Sequence, residues 1–446
     1  MNRKRTSRPF PLMPLLVALG AGFAGMAQAQ SLVELFDTAR GYDATYQSAK
    51  SQAVATIARG DQSKAGILPT VGLGAGVSQT NQSSSLASLD ARNYGTQSAA
   101  LSASQPLYRP GNWATYEQGK KQTAVAESQL LAAEQDLIVR VSQAYFDVLG
   151  ATDTLTFVRS QKAAVAEQLA SAKRNFEVGT STIVDTRDAQ ARYDLVVAQE
   201  LAAENDLNVK SLALDQLVGK SGTVPKPLLS PAVLSEVQPA DVNYWVQLSE
   251  SSNPTIQQSA IALDVAKLET QKAEDGHKPT LDLVGSYSAA NNNGSSTSGA
   301  SYTANVASVG INFNLPLFAG YSIQNRVKET LALEDKARSD LDAARRSVAQ
   351  ATRTAFFGVQ SGLSQVKAYE AAEISSQSAL DANKLGYQVG VKINIDVLNA
   401  QSQLYSTKAT LAKARYDVLV GGLRLRQATG TLKAEDLQPI NAQLAP

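Results

Sequence analysis

Residues 385–401, LGYQVGVKINIDVLNAQ, interrupt a long helical pattern with a glycine-centred turn and then restart a helix. Residues 175–190, NFEVGTSTIVDTRDAQ, repeat nearly the same design earlier in the chain. The two stretches share a turn glycine and an acid, and each matched pair is separated by 211 residues: Gly179 with Gly390, and Asp185 with Asp396. The chain therefore builds one helix–turn–helix tip twice.

Proline placement predicts long helices on both sides of each tip. After Pro110 no proline occurs until Pro225, and after Pro316 none occurs until Pro439. Both spans are rich in Ala, Gln, Leu, Lys, Glu and Asp, which favour helix or are tolerated on its surface. In the first span, apolar residues recur at steps of four and three residues, which is the spacing of a coiled-coil seam.

Four stretches between these spans have a different period. In each of them apolar residues alternate with small or polar ones; the stretches are 69–81, 94–107, 279–293 and 302–318. Period-two alternation over about ten residues, with a polar alternate face, is typical of strands in membrane β-barrels. The connecting loops, 82–93 and 291–301, are rich in Ser, Asn and Gly, which suits exposed outer loops.

The strand count predicts an oligomer. Four membrane strands cannot close a barrel, because the smallest such barrels have about eight. An open sheet edge is not tolerated in lipid, since its backbone groups would lack hydrogen-bond partners. Several copies must therefore contribute to one barrel, with eight strands from two copies or twelve from three.

The N-terminus has the features of a secretory signal peptide. A basic stretch precedes an apolar run over about 12–24, and Ala27-Gln28-Ala29 supplies the small-x-small cleavage pattern. The apolar run is shorter than the roughly 20 residues of a membrane-spanning helix, although a retained anchor is the alternative. The predicted organisation is listed in chain order: signal peptide 1–29, first repeat 30–218, linker 219–253, second repeat 254–430 and tail 431–446.

Composition excludes several function classes. The first 29 residues hold four of the 41 basic residues and none of the 40 acids, so 37 bases face 40 acids in the mature chain. A net charge of −3 without a basic face argues against nucleic-acid binding. The chain has no cysteine, and His277 is its one histidine. Zinc sites and a Ser–His–Asp triad lack their parts, so we expect neither an enzyme nor a bound cofactor.

At this point the chain resembles the TolC-type outer-membrane channel proteins over essentially its whole mature length. The specific marks are GHKPTLDL at 276–283, LPLFAG at 315–320, and GYQVG at 386–390 followed by Asp396-Val397-Leu398. The resemblance implies a mainly α-helical homotrimer with a 12-stranded β-barrel in outer-membrane lipid and a long α-helical barrel across the periplasm. The linker and the C-terminal tail would form a mixed equatorial region.

The same resemblance implies a passive exit duct. It would dock through a periplasmic adaptor protein with an inner-membrane ABC exporter or a proton-driven RND-type pump, for type I protein secretion or drug efflux. The alternative is a secreted structural coiled-coil surface protein without a pore. The alternating strand pairs argue against that alternative, because a fibre needs no such strands.

In that family the two tips form the periplasmic entrance. The constricting tyrosine corresponds to Tyr387, the acid that holds it across the pore to Asp185, and a basic partner to Lys392. Better-known members have arginine at the last position, and lysine lacks its planar two-pronged donor, so the lock is expected to be weaker here.

The family's cation-binding acid rings correspond to Asp396 and to Asn399, which is uncharged in this chain. Asp188 instead carries an acid where an uncharged residue is more usual. Three copies around one axis would crowd like charges, which cations relieve. Alternatively, these acids simply occupy first helical turns, where the helix dipole favours them.

Overall fold

The computed structural model describes residues 29–83, 92–229 and 234–445. Residues 1–28 of the expected signal peptide, most of the loop 82–93 and part of the linker lie outside the described residues. The described elements follow in chain order: α1 (Leu32–Tyr42), α2 (Ala44–Gln62), β1 (Thr70–Gln82), β2 (Arg92–Tyr108), α3 (Pro110–Glu177), α4 (Ile183–Val218), α5 (Val242–Ser252), α6 (Pro254–Glu274), β3 (Thr280–Asn292), β4 (Tyr302–Asn314), α7 (Ser322–Gln388), α8 (Asn394–Thr429) and α9 (Gln438–Asn441). Short 3₁₀ helices cover Ser63–Ile67, Asp275–His277 and Ala434–Leu437.

The internal repeat is confirmed at the level of whole elements. Helices α3 and α7 have 68 and 67 residues, and α4 and α8 have 36 each. Helix α5 matches α1 in length, with 11 residues each, and begins 210 residues after it. The second copy of the element order therefore starts at Val242, inside the proline-rich segment 219–253 that the sequence assigned to the linker.

The long helices follow from their sequence. Pro110 occupies the first turn of α3, where its missing N–H costs no hydrogen bond, and no further proline follows within the helix. At 1.5 Å per residue, α3 is roughly 100 Å long. Among the described helices, none is both long enough and apolar enough to cross a membrane.

The four strands form one antiparallel sheet in the order β1-β2-β3-β4. The β2–β3 pairing joins the two repeats, and a bidentate ion pair between Arg109 and Asp282, at 2.7 and 2.5 Å, reinforces it. Strand β4 ends at Asn314, earlier than the predicted 318 and before Pro316, whereas β2 continues past its matching Pro106 to Tyr108 with a break in register. The edges of β1 and β4 have no partner strand within the described ranges.

The largest buried cluster ties the helical hairpins to both ends of the described chain. Leu32, Leu35 and Phe36 of α1 pack with Tyr145 and Phe146 of α3, and the cluster continues into α8 and the C-terminal tail. A second tie is polar: Asp43 caps α2 and also accepts two hydrogen bonds from Arg140 of α3, at 3.0 Å each. These contacts anchor the middle of α3 and the C-terminal part of α8.

Buried polar groups differ along the helices. Gln135 of α3 lies beside the C-terminal end of α8. It is 2% exposed, and its side-chain amide donates to the carbonyls of Gly430 and Leu432, at 2.9 and 3.1 Å. Nearer the second tip, Gln401 of α8 is 4% exposed, and its side-chain oxygen has no partner among the described residues. An unpaired buried acceptor costs free energy, so Gln401 lowers the stability of the packing around it.

The two buried glutamines are expected to respond oppositely to the same substitution. Gln401→Leu removes an unpaired acceptor and should raise stability by about 1 kcal/mol, whereas Gln135→Leu orphans two carbonyls and should lower it by about 1–3 kcal/mol. Thermal unfolding of the detergent-solubilised protein measures both. A shift of the melting temperature in the same direction for both variants would contradict this account.

Candidate functional site at the paired helix tips

The first tip is closed by its own backbone and by Asp185. Gly179 has φ +79°, a conformation that side chains disfavour, and it reverses the chain after α3. Thr182 caps α4 by accepting from the N–H of Asp185 at 3.3 Å, and the Asp185 carboxylate accepts from the N–H of Thr182 at 3.0 Å. This reciprocal pair is a capping box.

The Asp185 carboxylate also accepts a hydrogen bond from the Ser181 hydroxyl at 2.7 Å. Together with the Thr182 N–H, that hydroxyl lowers the pKa of Asp185 below its ordinary value, because both donors favour the charged form. Asp185 therefore stays ionised near neutral pH. Its hydrogen bonds within the chain serve the turn at the start of α4.

The second tip has the same turn but a different cap. Gly390 has φ +78°, and the carbonyl of Gly386 accepts from the N–H groups of Val391 and Lys392 at 2.9 and 3.0 Å. Ile393 stands at the cap position of α8 and has no oxygen to offer, so no side chain caps this helix. The two tips match in backbone shape but not in the chemistry of their caps.

Lys392 and Asp396 lie together at this tip. The Lys392 ammonium is 3.6 Å from the Asp396 carboxylate, one turn along the chain. Gly386 makes room for the lysine stem, since a Cβ at that position would lie 2.7 Å from Cγ of Lys392. The pair is half exposed, which makes it a weak ion pair in a single chain.

Tyr387 links the two tips within one chain. Its hydroxyl accepts a hydrogen bond from the Asn175 side-chain amide at 3.2 Å, and its ring packs against Leu380, Val397 and Leu404. No hydrogen bond joins it to Asp185 within the described part of the chain. Sequence reasoning missed Asn175. Position 386 matches Asn175 at the offset of 211 residues but is a glycine, and this difference between the repeats was the sequence signal that marks Asn175.

A second link joins α4 to α8. Arg192 donates to the side-chain oxygen of Asn399 at 2.7 Å. Asn399 matches Asp188 at the offset of 211 residues, and Asp188 is exposed, without an ion pair or side-chain hydrogen bond among the described residues. The structure thus places Asn399 in contact with a permanent positive charge, which sequence reasoning did not anticipate.

The described part of a single chain does not assemble a metal site. Across residues 29–83, 92–229 and 234–445, no three His, Cys, Asp or Glu side chains are grouped so that they could hold a metal ion. Asp185 and Asp396 lie in the first turns of α4 and α8, Asp188 lies in the second turn of α4, and the three are not grouped around a common point within the chain. A carboxylate ring would require several copies.

Comparison with known proteins agrees with this geometry. The family model described as "Outer membrane efflux protein" matches residues 36–220 and 245–431, which are the two repeats. Outer membrane protein TolC of Vibrio cholerae is 35% identical over 439 residues, covering 97% of this chain and 98% of that protein. Alkaline protease secretion protein AprF of Pseudomonas aeruginosa is 31% identical, covering 79% of this chain and 73% of that protein.

The fold agrees with a solved structure of the same kind. The CmeC outer membrane channel of Campylobacter jejuni superposes with a TM-score of 0.78 at 17% identity, covering 100% of this chain and 98% of that one. The expected resemblance is thereby confirmed at the level of family and fold. With both repeats matched by the family model and TolC similar over nearly its full length, the chain belongs to the outer membrane efflux protein family.

Proposed function

We propose that this protein is a trimeric exit duct in the outer membrane. The observation that carries the proposal is the four-stranded sheet with two unpaired edges, joined to helices roughly 100 Å long. In an outer membrane efflux protein, such a sheet needs copies of itself to close, and the helices extend the closed passage into the periplasm.

The strand directions allow closure by identical copies. In an antiparallel sheet with an even number of strands, β1 and β4 run in opposite directions. The β4 edge of one copy therefore pairs antiparallel with the β1 edge of the next, and both strands have 13 residues. Three copies supply twelve strands, and closure leaves no backbone group unpaired in lipid.

The exposed side chains of β4 fit a lipid-facing surface. Val309, Ile311 and Phe313 alternate along the strand and are 84%, 62% and 64% exposed in the single chain. Burying these side chains in lipid removes apolar surface from water. A fibre without a pore would leave this face in water, so the coiled-coil alternative is disfavoured.

The partners are those of a tripartite exporter. We infer a periplasmic adaptor and an inner-membrane transporter, which is either an ABC exporter or an RND-type pump. AprF is named for alkaline protease secretion, which favours protein cargo, and the family model is named for efflux, which favours small molecules. One duct serves both uses, since the transporter and the adaptor select the cargo.

The first test of the duct is electrical. The purified protein in a planar lipid bilayer should give discrete conductance steps, and cross-linking in detergent should yield a species of three chains. A trimer that inserts into bilayers yet never conducts would contradict the proposal. A conducting dimer would contradict the twelve-stranded closure alone.

The tips are proposed as the gate of this duct. Around a threefold axis, Tyr387 of each copy narrows the passage, while Asp185 and Lys392 lie on the neighbouring turns. Three observations support this assignment: Tyr387 joins the hairpins through Asn175, Asp185 is ionised, and Lys392 is only weakly held by Asp396. Gly179 and Gly390 set the turns that carry these side chains.

Loss of the closing contacts should open the gate. Tyr387→Phe removes one hydroxyl, and Asp185→Asn removes the charge while keeping an oxygen for the cap. Each should raise the resting open probability roughly fivefold, the equivalent of one hydrogen bond. Single-channel recording gives the open probability. Tyr405→Phe on α8 is the matched control, and an unchanged gate in both tip variants would count against the assignment.

Carboxylates at the entrance should bind polyvalent cations. Asp188 is exposed, and Asp396 forms an ion pair with Lys392. Because each chain supplies one copy of each acid, a carboxylate ring forms only when three copies meet. Asp188→Asn and Asp396→Ala should each weaken block by lanthanum added at the periplasmic side, by roughly fivefold in the blocking concentration. Titration of the current measures it, and undiminished block in both variants would refute the ring.

A further inference from the structure

We propose that Arg192 is a specificity-determining residue of the entrance and that it lowers the preference of the duct for cations. The inference rests on the proposed duct, because it concerns ions that pass the tips. Arg192 lies on α4, about two turns above Asp185. Its guanidinium donates to Asn399 of α8 at 2.7 Å, so its charge is held beside α8, one turn from Asp396.

The partner of Arg192 leaves its charge intact. An aspartate at position 399 would neutralise the guanidinium, whereas the neutral amide of Asn399 only orients it. The two repeats differ in charge at both positions of this contact. Asp188 occupies the position that matches Asn399, and Gln403 occupies the position that matches Arg192. The first repeat therefore carries an acid without an ion pair, and in the link between α4 and α8 the base contacts a neutral partner.

Of the carboxylates near Arg192 in sequence, Asp188 lies one turn away on α4, is exposed and forms no ion pair within the described residues. Asp396, one turn from Asn399, is paired with Lys392 at 3.6 Å. Asp194, on the same helix as Arg192, accepts from Gln190 at 2.9 Å. Within the described residues, no carboxylate forms an ion pair with Arg192.

The charges near the tips balance within each copy. Residues 172–196 carry four basic and four acidic side chains, and residues 380–403 carry two of each, so both tips are neutral. Removal of Arg192 leaves each copy with one excess negative charge. Because arginine stays protonated at every accessible pH, it opposes the carboxylates wherever they are ionised.

Reversal potentials in a potassium chloride gradient test this role. Arg192→Gln keeps a donor for Asn399 but removes the charge. A full charge within about 4 Å of an ion in water changes occupancy roughly fivefold, so the potassium-to-chloride permeability ratio should rise by up to that factor. Arg192→Lys, which keeps the charge, should leave the ratio unchanged.

Two further variants keep the test decisive. Asn399→Asp adds a negative charge at the same contact and forms an ion pair with Arg192, so it should fold and should also raise the ratio. Lys336→Gln makes the same charge change on α7, far along the chain from the tips, and should have no effect. If the duct conducts but Arg192→Gln and Asn399→Asp leave the ratio unchanged, the inference is overturned and the duct stands.

An equal shift with Lys336→Gln would also overturn the inference, because overall charge would then explain the effect. Absence of any conductance in the unaltered protein would instead overturn the proposed duct. The two failures are therefore distinguished by the same recordings.

Discussion

The unpaired backbone groups at the edges of β1 and β4 are the constraint on which the remaining structure depends. In lipid these groups have no water to bond, so the sheet is stable there only when copies of the chain close it. With four antiparallel strands, each copy presents a β1 edge and a β4 edge that run in opposite directions, so identical copies can pair edge to edge in the proposed barrel. The long helices then continue as paired hairpins, each ending in a turn.

The two repeats end in similar tips, which differ in the side chains that cap the helices and join the hairpins. Position 182 is a threonine that caps α4, whereas its match, Ile393, leaves α8 without a side-chain cap. Phe176 matches Tyr387, so only the second tip has a hydroxyl that reaches Asn175. Similar turns with unlike side chains allow the first tip to be capped by its side chains and the second to supply the proposed constriction.

The largest buried cluster lies far from the tips. Tyr416 donates to Asp153 at 2.6 Å, and the cluster around Tyr145 and Phe146 buries large side chains almost completely. Toward the tips, the oxygen of Gln401 lacks a partner, and the ion pair of Lys392 with Asp396 is exposed. Weaker polar contacts near the tips suit the proposed entrance, where a hairpin would move while its base stays in place.

The sequence by itself determined the elements and their duplication, because helix and strand periods and proline positions are local properties. The spans without proline predicted α3 and α7, and period-two alternation predicted all four strands. It missed α5, whose 11 residues lie among prolines. Only the tertiary structure paired Asn175 with Tyr387 and Arg192 with Asn399, which lie 212 and 207 residues apart, because the packing of one hairpin against the other brings these side chains together.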